Sequence, residues 1–289
     1  MRRVLLIGFL IGVGAAGTVA QQPAGGPPQV AELVKVRDNL YVVKGGGGNT
    51  AAFVTGAGVV LVDTKLANWG ERIMQQVRSV TDKPVTMIIN THTHGDHVGS
   101  NDFFPASVEV VAHANTKTNM EKMPAFAGDK AQFLPDRTYT DTLTLGSGAE
   151  QIELRYFGPG HTNGDTIVVF PALKVAHTGD LFAGLGTPIM DTNNGGSGVA
   201  YPETLKKAAA GISGVDTVIP GHADVMPWAK FVEFGEFNAA FLAAVQQAVN
   251  DGKTPEQAFA GLALPETFKD YQLGRAQANI TTIYGELKK

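Results

Sequence analysis

Thr91-His92-Thr93-His94-Gly95-Asp96-His97 contains three imidazoles and one carboxylate in one short stretch. It follows Val85–Asn90, an apolar run that predicts a short buried strand. On an extended backbone His92 and His94 point to the same side, because side chains alternate with a period of two. Gly95 allows a sharp turn, which lets Asp96 and His97 face a second point a few ångströms away. This pattern predicts a metal site, and its imidazole and carboxylate donors suit zinc but also iron or manganese.

Three further donors complete the predicted site. His161 lies in the rigid turn Gly158-Pro159-Gly160, Asp180 follows Thr178-Gly179, and His222 follows Pro220-Gly221 at the end of another predicted strand. Adding His161 to His92 and His94 gives one three-histidine group. The second group then consists of Asp96, His97 and His222, and Asp180 can bridge the two groups.

The order of predicted elements repeats along the chain. A hairpin over residues 51–63, a helix over residues 66–80 and a strand before His92 are followed by a second hairpin, helix and strand before His222. Two related halves would place their strand ends face to face. A site at that seam would draw ligands from both halves.

These motifs resemble the metallo-β-lactamase superfamily over about residues 30–225. The resemblance rests on the His-x-His-x-Asp-His cluster at residues 92–97, followed in order by His161, Asp180 and His222. It implies an α/β (α+β) fold, a four-layer αββα sandwich, with a two-metal site at one edge and the ligand division given above. The resemblance also gives Asp63 and Asp165 supporting positions behind the ligands. Residues 238–289 are predicted to form a C-terminal helical extension.

The chemistry expected of such a site is hydrolysis by a hydroxide that two metal ions share, with Asp96 orienting it. The cysteine-ligated β-lactamases of the family have Cys at the position of Asp180 and a lysine soon after it, and this chain has neither. The aspartate resembles that of glyoxalase-II-type thioesterases and lactonases. We therefore expect a β-lactamase-like hydrolase of an amide or ester bond, with a thioesterase or lactonase as the alternative.

Two rival functions follow from other classes of protein. A mononuclear iron oxygenase could use the same fold, and metal analysis would distinguish it. A binding protein with a structural zinc site is the rival outside enzymes, but structural zinc sites commonly use thiolates and the chain has no cysteine. The lone His113 and His177 are expected to be packed side chains. Aromatic residues recur every three positions at Trp228, Phe231, Phe234 and Phe237. This spacing predicts the buried face of a helix.

Composition limits the possible partners. The chain has 289 residues, 44% of them apolar, and a formal net charge of −4. Such a charge favours neither nucleic acid nor an anionic membrane surface, so the expected partner is a small-molecule substrate. Substrate selection is expected in the segments 45–49, 120–137 and 183–198, which are rich in glycine or polar residues.

The N-terminal residues have the pattern of an export signal. Arg2 and Arg3 precede an apolar run, and small residues follow up to Ala20. The prediction is a signal peptide over 1–20 and a flexible leader over 21–29, followed by the metallo-β-lactamase-like domain over 30–237 and the extension over 238–289. The mature protein would be periplasmic or secreted, without stable membrane association.

Overall fold

The computed structural model describes residues 30–288, so the predicted signal peptide and leader lie outside the described residues. A seven-stranded sheet comes first, with its strands in sequence order. Strands β1 to β4 are antiparallel, and β4 to β7 are parallel. The strands are β1 (Glu32–Arg37), β2 (Leu40–Lys44), β3 (Thr50–Val54), β4 (Val59–Val62), β5 (Val85–Asn90), β6 (Glu109–His113) and β7 (Arg137–Tyr139).

A six-stranded sheet follows, in the order β13-β12-β11-β10-β9-β8. Its one parallel pair is β11 with β12, and the other neighbours are antiparallel. The strands are β8 (Thr142–Leu145), β9 (Ile152–Arg155), β10 (Ile167–Phe170), β11 (Val175–His177), β12 (Thr217–Ile219) and β13 (Met226–Pro227).

The helices cover the outer faces of the two sheets and form the C-terminal part of the chain. They are α1 (Gly70–Arg78), α2 (Gly95–Val98), α3 (Ala114–Met120), α4 (Tyr201–Gly211), α5 (Ala229–Asn250), α6 (Pro255–Ala260) and α7 (Ala276–Leu287). Short 3-10 turns join several of these elements, among them Gly179–Phe182.

Alternation along the strands produces the layers. In β3, Phe53 faces inward and packs on Phe170 of β10 with ring centroids 5.0 Å apart, which joins the two sheets in one core. The neighbouring Ala52 faces outward, towards Ile73 and Val77 of α1. On the far side, α4 and α5 cover the outer face of the second sheet. The predicted four-layer αββα sandwich is therefore confirmed.

The first predicted helix is shorter than expected. The sequence pattern predicts it over residues 66–80, and the structure gives α1 from Gly70. Lys65 and Asn68 have φ values of 65° and 67°, which a right-handed helix does not allow. The helix therefore begins only after a turn over residues 63–69. The residues of this turn lie beside the candidate site.

Helix α5 connects the sandwich to the C-terminal segment. Its N-terminal half packs Phe231, Phe234 and Phe237 into the core on the second sheet, as the spacing of three indicates. Its C-terminal half packs against α6 and α7. A boundary between residues 237 and 238 falls inside this one continuous helix. Phe237 also stacks on Tyr271, with ring centroids 4.3 Å apart, so the residues after 238 contact the core directly.

Within residues 30–288, no helix is both long and apolar enough to cross a membrane.

Replacing Phe237 by Ala should lower the free energy of unfolding by about 3–5 kcal/mol, because a fully buried aromatic ring leaves a cavity. Val232→Ala is the matched control on the same helix, since Val232 is 37% exposed. Urea unfolding of both variants measures the difference. An equal, small effect of the two substitutions would mean that the C-terminal segment does not depend on this contact.

Candidate metal centre

The carboxyl ends of four strands meet at one edge of the sandwich and carry the candidate donors. His92 follows β5, and Asp63 directly follows the neighbouring strand β4. From the other sheet, Asp180 lies in the 3-10 turn after β11, and His222 follows β12. Parallel pairing of β4 with β5 and of β11 with β12 brings these ends to the same edge.

The structure brings all seven predicted donors together. They form two groups, and within each group the potential ligand atoms lie within 4.8 Å of one another. The first group contains four residues and the second three. The groups are His92, His94, His161 and Asp180, and then Asp96, His97 and His222.

Asp180 lies between the two groups and faces both. Its Oδ1 is 3.3 Å from His97 Nε2 and 3.3 Å from His222 Nε2, whereas its Oδ2 is 3.8 Å from His161 Nε2. One carboxylate therefore presents one oxygen to each group. This is the placement that a bridging ligand requires.

Hydrogen bonds behind His92 fix which of its nitrogens faces the site. The Thr91 hydroxyl donates to Asp63 Oδ2 at 2.7 Å, so it can only accept from His92 Nδ1, which lies 3.0 Å away. The Nδ1 atom therefore carries the proton. The lone pair of Nε2 is left facing the site.

The other two histidines of this group are held in the same manner. His94 Nε2 lies 2.8 Å from Asp191 Oδ2, and His161 Nδ1 lies 2.9 Å from the carbonyl oxygen of Ile189. Both of these nitrogens must donate, which leaves His94 Nδ1 and His161 Nε2 as lone pairs facing each other at 2.9 Å. If both rings are neutral, two acceptors repel at this distance. A cation between them would turn the repulsion into attraction.

The second group repeats the arrangement. His97 Nδ1 donates to Asp63 Oδ2 at 2.7 Å, so its Nε2 faces the site, 3.3 Å from His222 Nε2. A carboxylate thus orients one histidine in each group, Asp191 for His94 and Asp63 for His97. Carboxylate–histidine pairs of this kind are typical of protein metal sites.

Two buried atoms support a metal at this place. Among the described residues, three buried side-chain atoms have no hydrogen-bond partner: Thr50 Oγ1, His92 Nε2 and Asp180 Oδ1. The last two belong to the candidate donors. Leaving such atoms unpaired costs free energy. Both point into the cluster of donors, and imidazole with carboxylate is a donor set that divalent transition metals accept. The residues present therefore fit a divalent metal.

The electrostatics of the cluster agree with this fit. Burial lowers the pKa of His161 to about 4, so its imidazole is neutral and its lone pair is free. Burial also lowers the pKa of His97, but the carboxylates of Asp180 and Asp63 raise it more, to well above its ordinary value. Without a metal, a proton on His97 therefore balances the carboxylates. A bound cation would replace that proton.

Glycines line the site because larger residues would not fit. A Cβ on Gly48 would overlap the His97 ring, and one on Gly221 would overlap Asp180 Oδ1. At Gly47 it would lie 2.8 Å from the Cβ of Asp96. The glycine-rich segment that the sequence indicated as a substrate loop therefore packs directly on the donors.

Two residues of the site were not found from the sequence. Asp191 lies eleven positions after Asp180 in a glycine-rich loop, where a single aspartate indicates nothing more than a turn. Lys65 is completely buried and donates from Nζ to the carbonyl oxygen of Gly48 at 2.7 Å. Its backbone has φ 65°, so no helix or strand pattern could have placed its side chain.

The remaining expectations concern supporting residues. Asp165 accepts hydrogen bonds from the backbone N–H and the hydroxyl of Thr162, so it holds the turn that follows His161. His113 and His177 belong to neither group of donors. His113 stacks on Tyr156, and His177 Nε2 lies 3.1 Å from the carbonyl oxygen of Asn49.

Two cavities open beside the candidate metal centre. One, of about 520 Å³, is lined by donors of both groups, by residues 183–189 and by Arg275. The other, of about 560 Å³, is mainly apolar, and its lining includes Leu66, Met123 and Phe126. Asp96 lines both cavities. All three segments that the sequence indicated for substrate selection contribute to these walls.

Comparison with known families decides the classification. The family model of the metallo-β-lactamase superfamily matches residues 43–222, more than half of the chain. The chain belongs to the metallo-β-lactamase superfamily. Its members bind divalent metal ions, and this chain is a metal-dependent hydrolase. The matched residues include all seven donors.

Individual relatives agree with this assignment. The metallo-β-lactamase IND-1 of Chryseobacterium indologenes is 26% identical over 203 residues, which are 65% of this chain and 80% of the relative. The crystal structure of the metallo-β-lactamase DIM-1 superposes with a TM-score of 0.62 at 18% identity and covers 72% of this chain and 97% of its own.

A third similarity extends further along this chain. The sec-alkylsulfatase Pisa1 from Pseudomonas sp. superposes with a TM-score of 0.74 at 16% identity. It covers 89% of this chain, which spans only 50% of Pisa1. At this identity the likeness concerns the fold alone, and it extends beyond the part shared with DIM-1.

Replacing Gly221 by Ala should lower the bound-metal content and the activity, because the added methyl group would displace the Asp180 carboxylate. Gly221 does not have a positive φ, so the effect is one of space and not of backbone strain. Gly285→Ala is the matched control, since a Cβ there meets nothing within 4 Å. Elemental analysis and circular dichroism should show metal loss in a folded G221A protein. Full metal content in G221A would contradict the close packing.

Lys65 should make stability depend on pH. Burial lowers its pKa from 10.5 to about 7, although the Asp63 carboxylate opposes the shift. Between these values the unfolded chain binds a proton that the folded chain does not, so Lys65 adds stability as the pH rises from 7 towards 10.5. The wild type should gain up to about 1.4 kcal/mol per pH unit over Lys65→Met.

Urea unfolding of the metal-free proteins between pH 7 and pH 9 measures this difference. Lys230→Met, which changes a lysine on the surface of α5, is the control. A wild-type minus K65M difference that stays constant with pH would contradict the lowered pKa.

Proposed function

We propose that the chain is an exported binuclear zinc hydrolase that cleaves an amide or ester bond of a small molecule. The observation that carries the proposal is the position of Asp180, whose two oxygens face different groups of histidines. In this proposal His92, His94 and His161 would hold one zinc ion and Asp96, His97 and His222 the other, with Asp180 as a ligand to both.

The reaction needs a nucleophile, and the proposed ions provide it. Zinc held by these residues would supply hydroxide at neutral pH and would polarise an acyl carbonyl. The chain offers no competing nucleophile: it has no cysteine and no Gly-x-Ser-x-Gly motif.

Asp96 is the proposed catalytic side chain, because it faces both the donors and the two cavities. Burial raises the pKa of Asp96, but a hydrogen bond with His222 and the charge of His97 lower it more, so the carboxylate stays ionised. An ionised Asp96 accepts a hydrogen bond from the attacking water and orients it. It can then pass the proton to the leaving alcohol or amine.

Two classes of substrate are candidates for this site. Sequence similarity to IND-1 supports a β-lactam amide as the first candidate. The bridging carboxylate and the absence of a lysine shortly after Asp180 support a thioester or a lactone as the second. In both cases the apolar cavity beside Asp96 would take an apolar part of the substrate.

The six donors other than Asp180 form two sets of three, and five of these six donors are imidazoles. Zinc is proposed over iron or manganese because imidazole is one of its preferred ligands. An iron oxygenase with one metal ion would use only one of these sets. One iron and no zinc per chain would therefore favour that rival over the hydrolase.

Export and domain organisation belong to the same proposal. The charged and apolar pattern of residues 1–20 supports a cleaved signal peptide and a periplasmic or secreted protein, with residues 21–29 as a leader. Residues 30–237 would then form the catalytic domain. The helices after residue 238 extend it.

The direct test is the initial rate at which the zinc-loaded full chain hydrolyses a chromogenic cephalosporin, a thioester and a lactone, each with a chelated control. Turnover of one substrate that is lost with the chelator supports the hydrolase and names the bond. Equal rates with and without the chelator for all three would contradict it.

Replacing Asp180 by Ala should lower kcat on the best of these substrates by roughly 100-fold or more, because both proposed ions lose a ligand. Bound zinc should fall below two ions per chain in the same sample, which elemental analysis measures. Asp251→Ala, at an exposed carboxylate after α5, is the control. Unchanged turnover by D180A would refute the bridging role.

A further inference from the structure

The segment after residue 264 contributes Arg275 to the lining of the cavity beside the candidate metal centre. Leu185 and Thr187 lie in the loop that follows Asp180. Gln272 N donates to Leu185 O at 3.1 Å, and Thr187 N donates to Gln272 O at 2.8 Å. Arg275 N donates to the Thr187 hydroxyl at 3.0 Å. These bonds fix the backbone of Arg275 against a loop that lines the cavity.

The same segment is linked to a proposed ligand. The Asn279 side chain donates to the carbonyl oxygen of Pro188 at 3.0 Å. The next residue, Ile189, accepts from His161 Nδ1. The C-terminal helix α7 is therefore two contacts away from the proposed zinc site, and its position relative to that site is defined.

Arg275 is exposed and places a permanent positive charge at the edge of this cavity. It is the one lysine or arginine among the residues that line it. Within residues 30–288, its side chain forms no hydrogen bond or ion pair. The carboxylates of the lining are those of Asp96 and Asp180, which interact with histidines of the site. The guanidinium group is thus available to a ligand.

A guanidinium group in a cavity favours an oxyanion, because its planar N–H groups match the two oxygens of a carboxylate. Residues 181–200, which follow Asp180, contain neither lysine nor arginine. Lys130 lines the second cavity, but its ammonium group is paired with the Asp102 carboxylate at 2.6 Å. Arg275 lies in the C-terminal segment, outside residues 43–222, which match the family model.

We propose that Arg275 binds a carboxylate on the substrate, so that the natural substrate is an anionic ester or amide. The inference rests on the proposed hydrolase and adds its substrate class. In this arrangement the carboxylate lies at Arg275 and the scissile bond at Asp96. The apolar part extends into the second cavity, which Asp96 also lines.

Two esters of equal length test the proposal on the zinc-loaded full chain: the mono-p-nitrophenyl ester of glutaric acid, which keeps one carboxylate, and neutral p-nitrophenyl valerate. Arg275→Gln should lower kcat/KM for the charged ester about tenfold or more and change that for the neutral ester by less than about twofold. Arg275→Lys should recover part of the loss, since it keeps the charge without the planar geometry.

Lys269→Gln is the matched control, because it removes a positive charge from the same segment at a residue that does not line the cavity. An equal loss in K269Q would mean that net charge is responsible and would overturn the proposal. So would an equal loss of both esters in R275Q, or no loss of either.

Calorimetric binding of glutarate and of butyrate gives a readout that does not depend on turnover. Wild type should bind glutarate more tightly than butyrate, and R275Q should lose this difference. If neither ester is hydrolysed in a chelator-sensitive manner, the proposed hydrolase function fails on these substrates, and glutarate binding still decides the role of Arg275. Identical glutarate affinity in wild type and R275Q would overturn it.

Discussion

The convergence of imidazole lone pairs around one buried carboxylate, Asp180, is the constraint on which the site depends. His94 Nδ1 and His161 Nε2 face each other at 2.9 Å, while the opposite nitrogen of each ring is already committed as a donor. Two facing lone pairs repel, and a shared cation, either a proton or a metal ion, turns this repulsion into attraction. The fold holds this arrangement in place because both sheets contribute strand ends to the same edge, and because the carboxylates of Asp63 and Asp191 orient the rings.

The same constraint involves residues outside the two groups of donors. Asp63 accepts from both Thr91 and His97, so one carboxylate orients a histidine in each group. The close packing of Gly48 and Gly221 follows from the same cause, since the donors leave no room for a side chain. Lys65 holds the glycine-rich segment 45–49 in place by donating a hydrogen bond to the carbonyl oxygen of Gly48. Backbone, glycines and buried charges are therefore parts of one arrangement.

Short-range patterns in the sequence predicted the strands and singled out residues 92–97 as candidate donors. Strand alternation and the spacing within residues 92–97 can be read directly from the linear sequence. The family resemblance indicated the four-layer sandwich. The sequence did not identify Asp191, Lys65 or Arg275 as residues of the site. Each of them lies in a loop or has a positive φ, and its neighbours in space are distant in sequence. The start of α1 was predicted four residues too early for the same reason: left-handed residues interrupt a helical pattern without changing its apolar spacing.

Anomalous diffraction at the zinc absorption edge, from crystals of the full chain grown with zinc, tests the central claim most directly. The account predicts two peaks of similar height on opposite sides of the Asp180 carboxylate. One should be contacted by three histidines and the other by Asp96 and two histidines: His92, His94 and His161 for the first, and His97 and His222 for the second. A single peak, or two peaks that Asp180 does not join, would contradict the binuclear site.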